Sequence, residues 1–255
     1  MNTLLTLDKV GLVYHSPSGE TQAIKDMSFE VNEGEFTAVI GPSGCGKSTL
    51  LSVIAGLIRP SEGSVKIRER EGGGSGELGY MLQRDELFPW RTIRKNVVLP
   101  LEIKRRKTRV NVEYALSLLE KYGLKEFTDH YPDQLSGGMR QRVALIRTLA
   151  AKPELLLLDE PFSALDYQTR LSVCEDVFRI IRKENKTALL VTHDVSEAVS
   201  VADRVLLLSP RPAKIRKEYL LDFGRDTTPL KRRNDPRFRD WFELMWRDLN
   251  YENKR

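Results

Sequence analysis

The sequence predicts an α/β fold with an antiparallel β-subdomain and a helical subdomain, and three patterns support this. Short apolar runs have the length of buried strands, and they lie at 35–40, 154–159 and 187–193. The amino-terminal 3–40 alternates apolar and polar positions between turn signals, which is typical of antiparallel strands. Residues 92–150 carry apolar positions at helical spacing, which predicts the helical subdomain at about 88–150.

Length and composition fit this fold class. The 255 residues suit one large α/β domain with a small appendage, and 40% of them are hydrophobic. There is no apolar run of eighteen residues and no basic-then-apolar start, so we expect neither a membrane span nor a secretion signal. Cys45 and Cys174 form no disulfide or metal spacing, which is typical of a reducing cytoplasm.

The remaining elements follow in order along the chain. "KSTLLSVIAGL" predicts a helix that ends near Gly56, after the strand "EFTAVI". "SVKIRER" and "ELGYMLQ" predict two strands around "GGGSG" (72–76), which is either a natural loop or an introduced linker. A helix is expected between the strands "ELLLLD" and "TALLVTH".

The tail predicts an amphipathic helix. Apolar residues recur at helical spacing over 236–250, and they are Phe238, Trp241, Phe242, Met245, Trp246 and Leu249. This helix either packs on the protein body or lies on acidic lipid. The predicted division is therefore a domain at 1–235 and a C-terminal amphipathic helix at 236–255.

The net charge of +5 comes entirely from the carboxyl-terminal residues 209–255. Residues 209–255 hold 13 Lys/Arg against 8 Asp/Glu, whereas residues 1–208 hold 28 of each. A basic tail indicates a solvated face, an acidic membrane surface or nucleic acid. No aromatic-rich sheet motif or zinc spacing supports nucleic acid, so we expect no nucleic-acid partner.

The segment "GPSGCGKST" predicts a P-loop NTPase core. It matches G-x-x-x-x-G-K-[ST] in full, with a strand before it and a helix after it. Backbone amides of such a loop surround phosphate, Lys47 neutralises β- and γ-oxygens, and the Ser48 hydroxyl suits Mg²⁺. The predicted nucleotide-binding residues are Gly41, Pro42, Ser43, Gly44, Cys45, Gly46, Lys47, Ser48 and Thr49.

The loop cysteine allows two interpretations. Cys45 lies near a helix start and Lys47, surroundings that tend to lower a thiol's pKa, so maleimide should inactivate the protein and ATP should protect it. Alternatively, Cys45 is a small residue that fills a tight loop.

Two later segments supply carboxylates and a second anion site. In "LLLLDEP" a buried strand delivers Asp159 to its carboxyl end, where it suits a magnesium site, and Glu160 suits a group that polarises attacking water. In "LSGGMRQR" (135–142) Ser136, Gly137 and Gly138 offer a hydroxyl and amides at a helix start. The arginines that follow are expected to be solvated helix residues rather than phosphate ligands.

These motifs together resemble the ATP-binding subunits of ABC transporters over nearly the whole chain. Six stand in the family's order: "GPSGCGKST", Gln83 in "YMLQRDELFPW", "LSGGMRQR", "LLLLDEP", "SALD" (163–166) and His193 in "VTHD". The segments "LFPWRTIRKNV", "SPRPAKI" and "DPRFRDWFELMWRDL" are similar to the nitrate, sulfonate and taurine importer group. "LSGGMRQR" is therefore the family's signature, which makes 88–150 the helical signature subdomain.

The resemblance implies roles for single residues. ATP hydrolysis would use Glu160, His193, Gln83 and Lys47, with Mg²⁺ at Ser48, Gln83 and Asp159. A head-to-tail homodimer would place each signature against the partner's ATP, with Asp166 linking the two sites. Tyr14 would stack on adenine, although it also suits a packed strand tyrosine and His15 is next to it.

The resemblance also implies a function and partners. The chain would power solute import through a separate integral membrane permease at the cytoplasmic face, fed by an extracellular or periplasmic solute-binding protein. The solute would be anionic or small and organic, such as nitrate, sulfonate or taurine. Alternatives are a soluble ABC ATPase of translation or DNA repair, and a regulator without turnover. A single ATP domain without heptads disfavours the first alternative, and Glu160 disfavours the second.

One apolar cluster lies outside the motifs. Leu87, Phe88 and Trp90 surround Pro89 in "DELFPWRTIRKNV" (85–97). The cluster is either a small satellite core or a partner site, and similar transporters receive a permease helix at this segment.

Overall fold

A computed structural model describes residues 2–17, 19–68 and 77–250. The strands are β1 (Thr3–Ser16), β2 (Gly19–Asn32), β3 (Phe36–Ile40), β4 (Glu62–Ile67), β5 (Leu78–Met81), β6 (Leu155–Asp159), β7 (Thr187–Thr192), β8 (Arg204–Leu208) and β9 (Ile215–Leu220). The helices are α1 (Lys47–Ile54), α2 (Ile93–Ile103), α3 (Arg109–Lys121), α4 (Gly137–Ala150), α5 (Tyr167–Lys183), α6 (Val195–Val201), α7 (Pro229–Arg233) and α8 (Pro236–Asn250). Two short 3₁₀ turns occupy Lys125–Phe127 and Pro132–Gln134.

The main sheet has the strand order β5-β6-β7-β3-β8-β9. All neighbours are parallel except β8 and β9, which pair antiparallel. Every residue of β3, β6 and β7 is buried, because helices cover one face of the sheet, and α1 with the antiparallel strands β1 and β2 covers the other. The predicted α/β core is therefore confirmed, and the carboxyl ends of β3, β6 and β7 lie side by side at one edge.

The second sheet is antiparallel, with the order β2-β1-β4. This confirms antiparallel pairing for the first two strands, in which Leu5 faces Val31 and Leu12 faces Ile24. The prediction was wrong for the last part of 3–40, since β3 belongs to the main sheet. All five residues of β3 are buried, on both faces of the main sheet. The predicted strand "SVKIRER" is β4 and ends at Ile67, and "GGGSG" lies outside the described residues.

Helices α2, α3 and α4 form the predicted helical subdomain. Each begins with a side-chain cap: Thr92, Thr108 and Ser136 accept the amide hydrogen of the residue three positions later. Their apolar faces meet in one buried cluster that continues under the main sheet. The helices therefore form a rigid unit that carries the signature segment at the start of α4.

Helix α8 packs its apolar face on the protein body. Met245 is fully buried, the ring of Trp241 meets Tyr219 edge-on at 6.4 Å, and Asp248 accepts a 2.7 Å hydrogen bond from the Tyr219 hydroxyl. This contact supports the body-packing alternative for the tail. The division of the chain at residue 235 stays a prediction. Within the described residues, no helix is both long and apolar enough to cross a lipid bilayer.

Candidate functional site

The phosphate loop connects β3 to α1 at the carboxyl edge of the main sheet. Gly44 and Gly46 have φ values of 73° and 121°, a region that non-glycine residues rarely adopt. A Cβ on Gly46 would also lie 3.2 Å from the Ala23 carbonyl oxygen. These two glycines therefore allow the tight turn that brings the loop amides toward the start of α1.

Lys47 spans this loop from the first turn of α1. Its side chain is 6% exposed, and Nζ donates to the carbonyl oxygens of Gly41 at 2.9 Å and Pro42 at 3.0 Å. Both partners are neutral, so the ammonium charge is available for an anion in the loop. The loop amides and Lys47 are thus the donor set that a di- or triphosphate needs.

Ser48 and Asp159 meet although 110 residues separate them along the chain. The Ser48 hydroxyl donates to Asp159 Oδ1 at 3.0 Å, and the Tyr80 hydroxyl lies 3.4 Å from Oδ2. Burial raises the pKa of the Asp159 carboxyl. Tyr80 was not predicted as a site residue, and it lies in β5, the strand next to β6.

This oxygen pair fits Mg²⁺. The described residues contain no group of three or more His, Cys, Asp or Glu side chains suited to a metal. Mg²⁺ ordinarily takes one or two protein oxygens and fills its octahedron with water and substrate phosphates. A hydroxyl and a carboxylate beside a phosphate loop match that coordination. The donor set therefore fits magnesium bound together with a nucleotide.

Glu160 and His193 form a pair at the ends of β6 and β7. His193 Nδ1 lies 3.0 Å from Glu160 Oε2, and the histidine side chain is 52% exposed. Glu160 has φ 44°, and its amide donates to the Val191 carbonyl at 2.9 Å. The left-handed backbone turns the chain right after Asp159, so the two adjacent carboxylates have different partners.

Ser163 joins Gln83 to this pair. The Gln83 amide nitrogen donates to the Ser163 hydroxyl at 3.1 Å, and that hydroxyl donates to the Glu160 carbonyl oxygen at 3.0 Å. Gln83 therefore reaches the Glu160 backbone through one side chain. Sequence analysis quoted "SALD" but assigned Ser163 no role, since its partners lie on two other segments.

The signature segment begins α4. Ser136 is the cap residue, and its Oγ accepts from the Met139 amide at 3.3 Å. A Cβ on Gly138 would lie 2.9 Å from Cγ2 of Val173, so this glycine lets α4 approach α5 closely. A Cβ on Gly137 would lie 3.3 Å from Cδ2 of Leu165, which brings the signature to the segment 163–166.

The prediction that the signature arginines are solvated was wrong, since Arg142 is 28% exposed and lies 3.7 Å from Asp176, and Arg140 is 35% exposed. Its Nε donates to Asp85 Oδ2 at 3.1 Å, and its Nη1 donates to the Leu135 carbonyl at 2.8 Å. Arg147, two turns later, donates to the carbonyl oxygens of Glu86 and Asp85, each at 2.7 Å. Helix α4 therefore holds the segment that follows Gln83, a contact between segments 55 to 62 residues apart.

The expected reactivity of Cys45 is not supported. The side chain is 2% exposed, and burial raises the pKa of the thiol more than Lys47 and the backbone lower it. The prediction of a lowered pKa was wrong, because it counted the nearby charge and not the loss of water. The alternative, a small residue that fills a tight loop, agrees with this burial.

Two predicted residues lie apart from the carboxylates. The Asp166 side chain accepts from the Thr169 amide at 3.1 Å and so caps α5, a local role. Tyr14 lies near the end of β1 and is 42% exposed, while the neighbouring His15 pairs with Glu20 at 3.1 Å. Arg211, which sequence analysis did not single out, donates to the Gly44 carbonyl of the phosphate loop at 2.8 Å.

Comparison with known proteins finds a matching family model and relatives that are named as ATP-binding proteins. A family model described as "ABC transporter" matches residues 24–163. An uncharacterised ABC transporter ATP-binding protein of Bacillus subtilis, YtlC, is 47% identical over 97% of this chain and 96% of its own length. The aliphatic sulfonates import ATP-binding protein SsuB of Bacillus licheniformis is 44% identical over 80% of each chain. Taurine and nitrate import ATP-binding proteins are further relatives, at 42% and 39% identity.

Solved structures with a similar fold are also ABC transporter cassettes. The dimeric structure of the ABC transporter cassette MJ0796 has a TM-score of 0.72 and 32% identity, over 87% of this chain and all of that chain. A post-hydrolysis state of the same cassette, bound to ADP and Pi, has a TM-score of 0.70 and 31% identity over the same shares.

Proposed function

The chain belongs to the ABC transporter family, and from that premise we propose that it is the ATP-hydrolysing subunit of an importer. The predicted resemblance to nitrate, sulfonate and taurine import subunits is confirmed by the relatives. The observation that carries the proposed hydrolysis is the Glu160–His193 pair, 3.0 Å apart, at the same sheet edge as the phosphate loop. A protein that only binds nucleotide needs no such pair.

In the proposed reaction, water attacks the γ-phosphorus of ATP in line with the bond to the leaving ADP. Glu160 polarises the attacking water and takes its proton, while that P–O bond breaks to give ADP and phosphate. His193, oriented by Glu160, contacts the γ-phosphate. Lys47 and the loop amides stabilise the developing charge.

Ser48, Gln83 and Asp159 would hold Mg²⁺, which supplies neutralisation of phosphate charge when bound. The Ser48–Asp159 hydrogen bond keeps both oxygens at one place beside the loop. Gln83 is tied to the Glu160 backbone through Ser163, so the residue proposed to sense the metal also touches the hydrolytic site.

We infer a head-to-tail homodimer in which Ser136, Gly137 and Gly138 cap the ATP of the partner subunit. The dimeric structure of the cassette MJ0796 supports dimer formation. A helix start with free amides is a favourable place for the γ-phosphate of that ATP. Asp166 would contact the other site across the interface, and Tyr14 would stack on adenine. Hydrolysis removes the γ-phosphate contact, so the dimer opens.

The partners proposed for this chain are an integral membrane permease and, through it, an extracellular or periplasmic solute-binding protein. The chain would therefore lie at the cytoplasmic face of the membrane. The names of the relatives support import and favour nitrate, a sulfonate or taurine as the solute. They disfavour a role in translation or DNA repair.

Reconstitution tests this function. Proteoliposomes that contain a permease that binds this chain should take up labelled taurine, an alkanesulfonate or nitrate only with ATP, this chain and the solute-binding protein present. The control replaces ATP by ADP. Phosphate release that never supports uptake with that permease, together with binding to ribosomes or DNA, would favour the soluble alternative.

A second prediction concerns the apolar segment 87–90 after Gln83, in which one apolar side chain is buried and another is exposed. Leu87 is buried, whereas Trp90 is 71% exposed, and its ring lies 5.1 Å from that of Phe88. Fully buried Asn96 bonds the backbone of Phe88 and Arg91 on both sides of Trp90. Leu87 is thus part of the main hydrophobic core that the helical subdomain shares with the large sheet, and Trp90 is presented on a hydrogen-bonded turn.

We therefore expect Trp90→Ala to weaken assembly with the permease while ATP binding and melting temperature stay unchanged. An exposed aromatic anchor is worth about 2 kcal/mol on truncation, roughly a 30-fold loss of affinity. Co-purification with the permease measures the effect. Trp246→Ala, at a half-exposed tryptophan on α8, is the matched control. Undiminished assembly of the Trp90 variant would refute the partner site.

A further inference from the structure

Arg170 lies in the first turn of α5, directly after the segment 163–166, and its guanidinium faces two different loops. Nη2 donates to the carbonyl oxygen of Leu165 at 3.0 Å. Nη1 lies 3.6 Å from Asp194 Oδ2, and Nε lies 3.9 Å from Glu197 Oε1. The side chain is 27% exposed, so these contacts are shielded from water on most sides.

The two carboxylates that face Arg170 are bonded to the segments on either side of His193: Glu197 to the Thr192 side chain, and Asp194 to the first amides of α6. Asp194 caps α6, and its amide donates to the Thr192 hydroxyl at 3.0 Å. That hydroxyl donates to Glu197 Oε2 at 2.6 Å. The histidine thus lies between two residues whose side chains are bonded into one cluster, and Arg170 is the cation of that cluster.

The carbonyl that Arg170 holds belongs to the segment that touches the signature. Leu165 lies beside Gly137 at the start of α4, since a Cβ placed on Gly137 would come within 3.3 Å of its Cδ2. At the other end of the same segment, Ser163 bonds Glu160 and Gln83. Segment 163–166 is therefore tied at one end to the hydrolytic pair and at the other to the signature.

We propose that Arg170 is a positioning residue for ATP hydrolysis that joins the loop of His193 to the segment 163–166. The inference rests on the proposed function, in which His193 and Glu160 act on the γ-phosphate. The fork of the guanidinium is what allows one side chain to donate to the Leu165 carbonyl and face two carboxylates together. A displacement of Leu165 would therefore shift the guanidinium of Arg170 and, with it, the loop of His193. A displacement of the His193 loop would shift Leu165 in the same way.

An alternative role is charge neutralisation alone. Burial raises the pKa of Glu197 to about 7, so this carboxyl is partly neutral near pH 7. In that case any cation at position 170 would serve, since a single ammonium neutralises one carboxylate as well as a guanidinium. Lysine separates the two roles because it cannot reach the carbonyl and the carboxylates together.

The test compares Arg170→Lys and Arg170→Gln with the parent and with Arg179→Gln. Arg179 is an exposed arginine of the same helix, paired with Glu175 one turn away, and serves as the matched control. Rates are measured per ATP-binding site at protein concentrations where the rate per site no longer rises. ATP affinity is measured separately by nucleotide titration. We expect kcat to fall about tenfold in both Arg170 variants, within the range that a misplaced catalytic group produces. KM and ATP affinity should stay within about twofold.

Three results would overturn the inference. Full kcat in Arg170→Lys would assign only charge neutralisation, and full kcat in both variants would remove any role. An equal loss of ATP affinity and kcat would indicate general structural damage. A parent protein that binds ATP but releases no phosphate would contradict the proposed function itself, which the parent measurement shows separately.

Discussion

Replacing Glu160 with glutamine is expected to lower kcat by about 10²- to 10⁴-fold, the scale of a positioned general base. Glutamine has the same shape and the same left-handed backbone to adopt, so the fold should not change. Its amide can still bond His193 Nδ1, which lies 3.0 Å from the carboxylate in the parent. The change therefore removes the proton acceptor and little else.

The binding contacts should survive this change, because Lys47 and the loop amides are untouched. ATP affinity should stay within about threefold, and ATP should hold the variant as a stable dimer, since the γ-phosphate contacts are formed and never lost. Phosphate release and light scattering after gel filtration measure these two effects. Glu126→Gln, at an exposed carboxylate of the helical subdomain, is the control. Near-parent hydrolysis in Glu160→Gln would rule out Glu160 as the base.

Replacing Lys47 with methionine should produce the second large effect, a loss of ATP affinity of about 10- to 100-fold. A charged hydrogen bond contributes about 1.5–3 kcal/mol, and 1.4 kcal/mol corresponds to tenfold. Methionine keeps the buried stem of the side chain but not the ammonium that bonds Gly41 and Pro42. The loop should therefore keep its place and lose its positive charge.

Titration with a fluorescent ATP analogue measures this affinity, and thermal melting without nucleotide monitors the fold. Lys66→Met, at an exposed lysine of β4, removes an equal charge away from the site and should leave the affinity unchanged. Unaltered ATP binding by Lys47→Met would place the phosphates elsewhere. A large drop in melting temperature would instead mean that Lys47 chiefly holds the loop together.

The parts of the site that sequence analysis found are those in which the chemistry is contiguous. The phosphate loop, the pair Asp159–Glu160 and the signature each occupy fewer than ten residues, and each follows a strand or begins a helix that its own apolar pattern reveals. The buried strands β3, β6 and β7 were predicted for the same reason. Strands β8 and β9 and helices α6 and α7 were not predicted, although β8 and β9 are neighbours in the chain and pair with each other.

Residues that join distant segments escaped sequence analysis. Tyr80 reaches Asp159 across 79 positions, Ser163 reaches Gln83 across 80, and Arg140 reaches Asp85 across 55. A serine, a tyrosine or an arginine at a surface-like position carries no local sign of its partner. The Cys45 prediction failed for a related reason, because burial of the thiol by the folded chain outweighs the adjacent Lys47.

What the sequence by itself determined was the set of reactive groups and the order in which the chain delivers them to a sheet edge. The periodicity of apolar residues and the conformation of glycines are local properties. They can therefore be deduced from neighbouring residues in the sequence. Only the tertiary structure decided which groups meet: Glu160 with His193, Ser48 with Asp159, and Arg170 with two loops at once. Such contacts depend on parallel strand order and side-chain packing, which arise from the whole chain and set both the distances and the burial that govern charge.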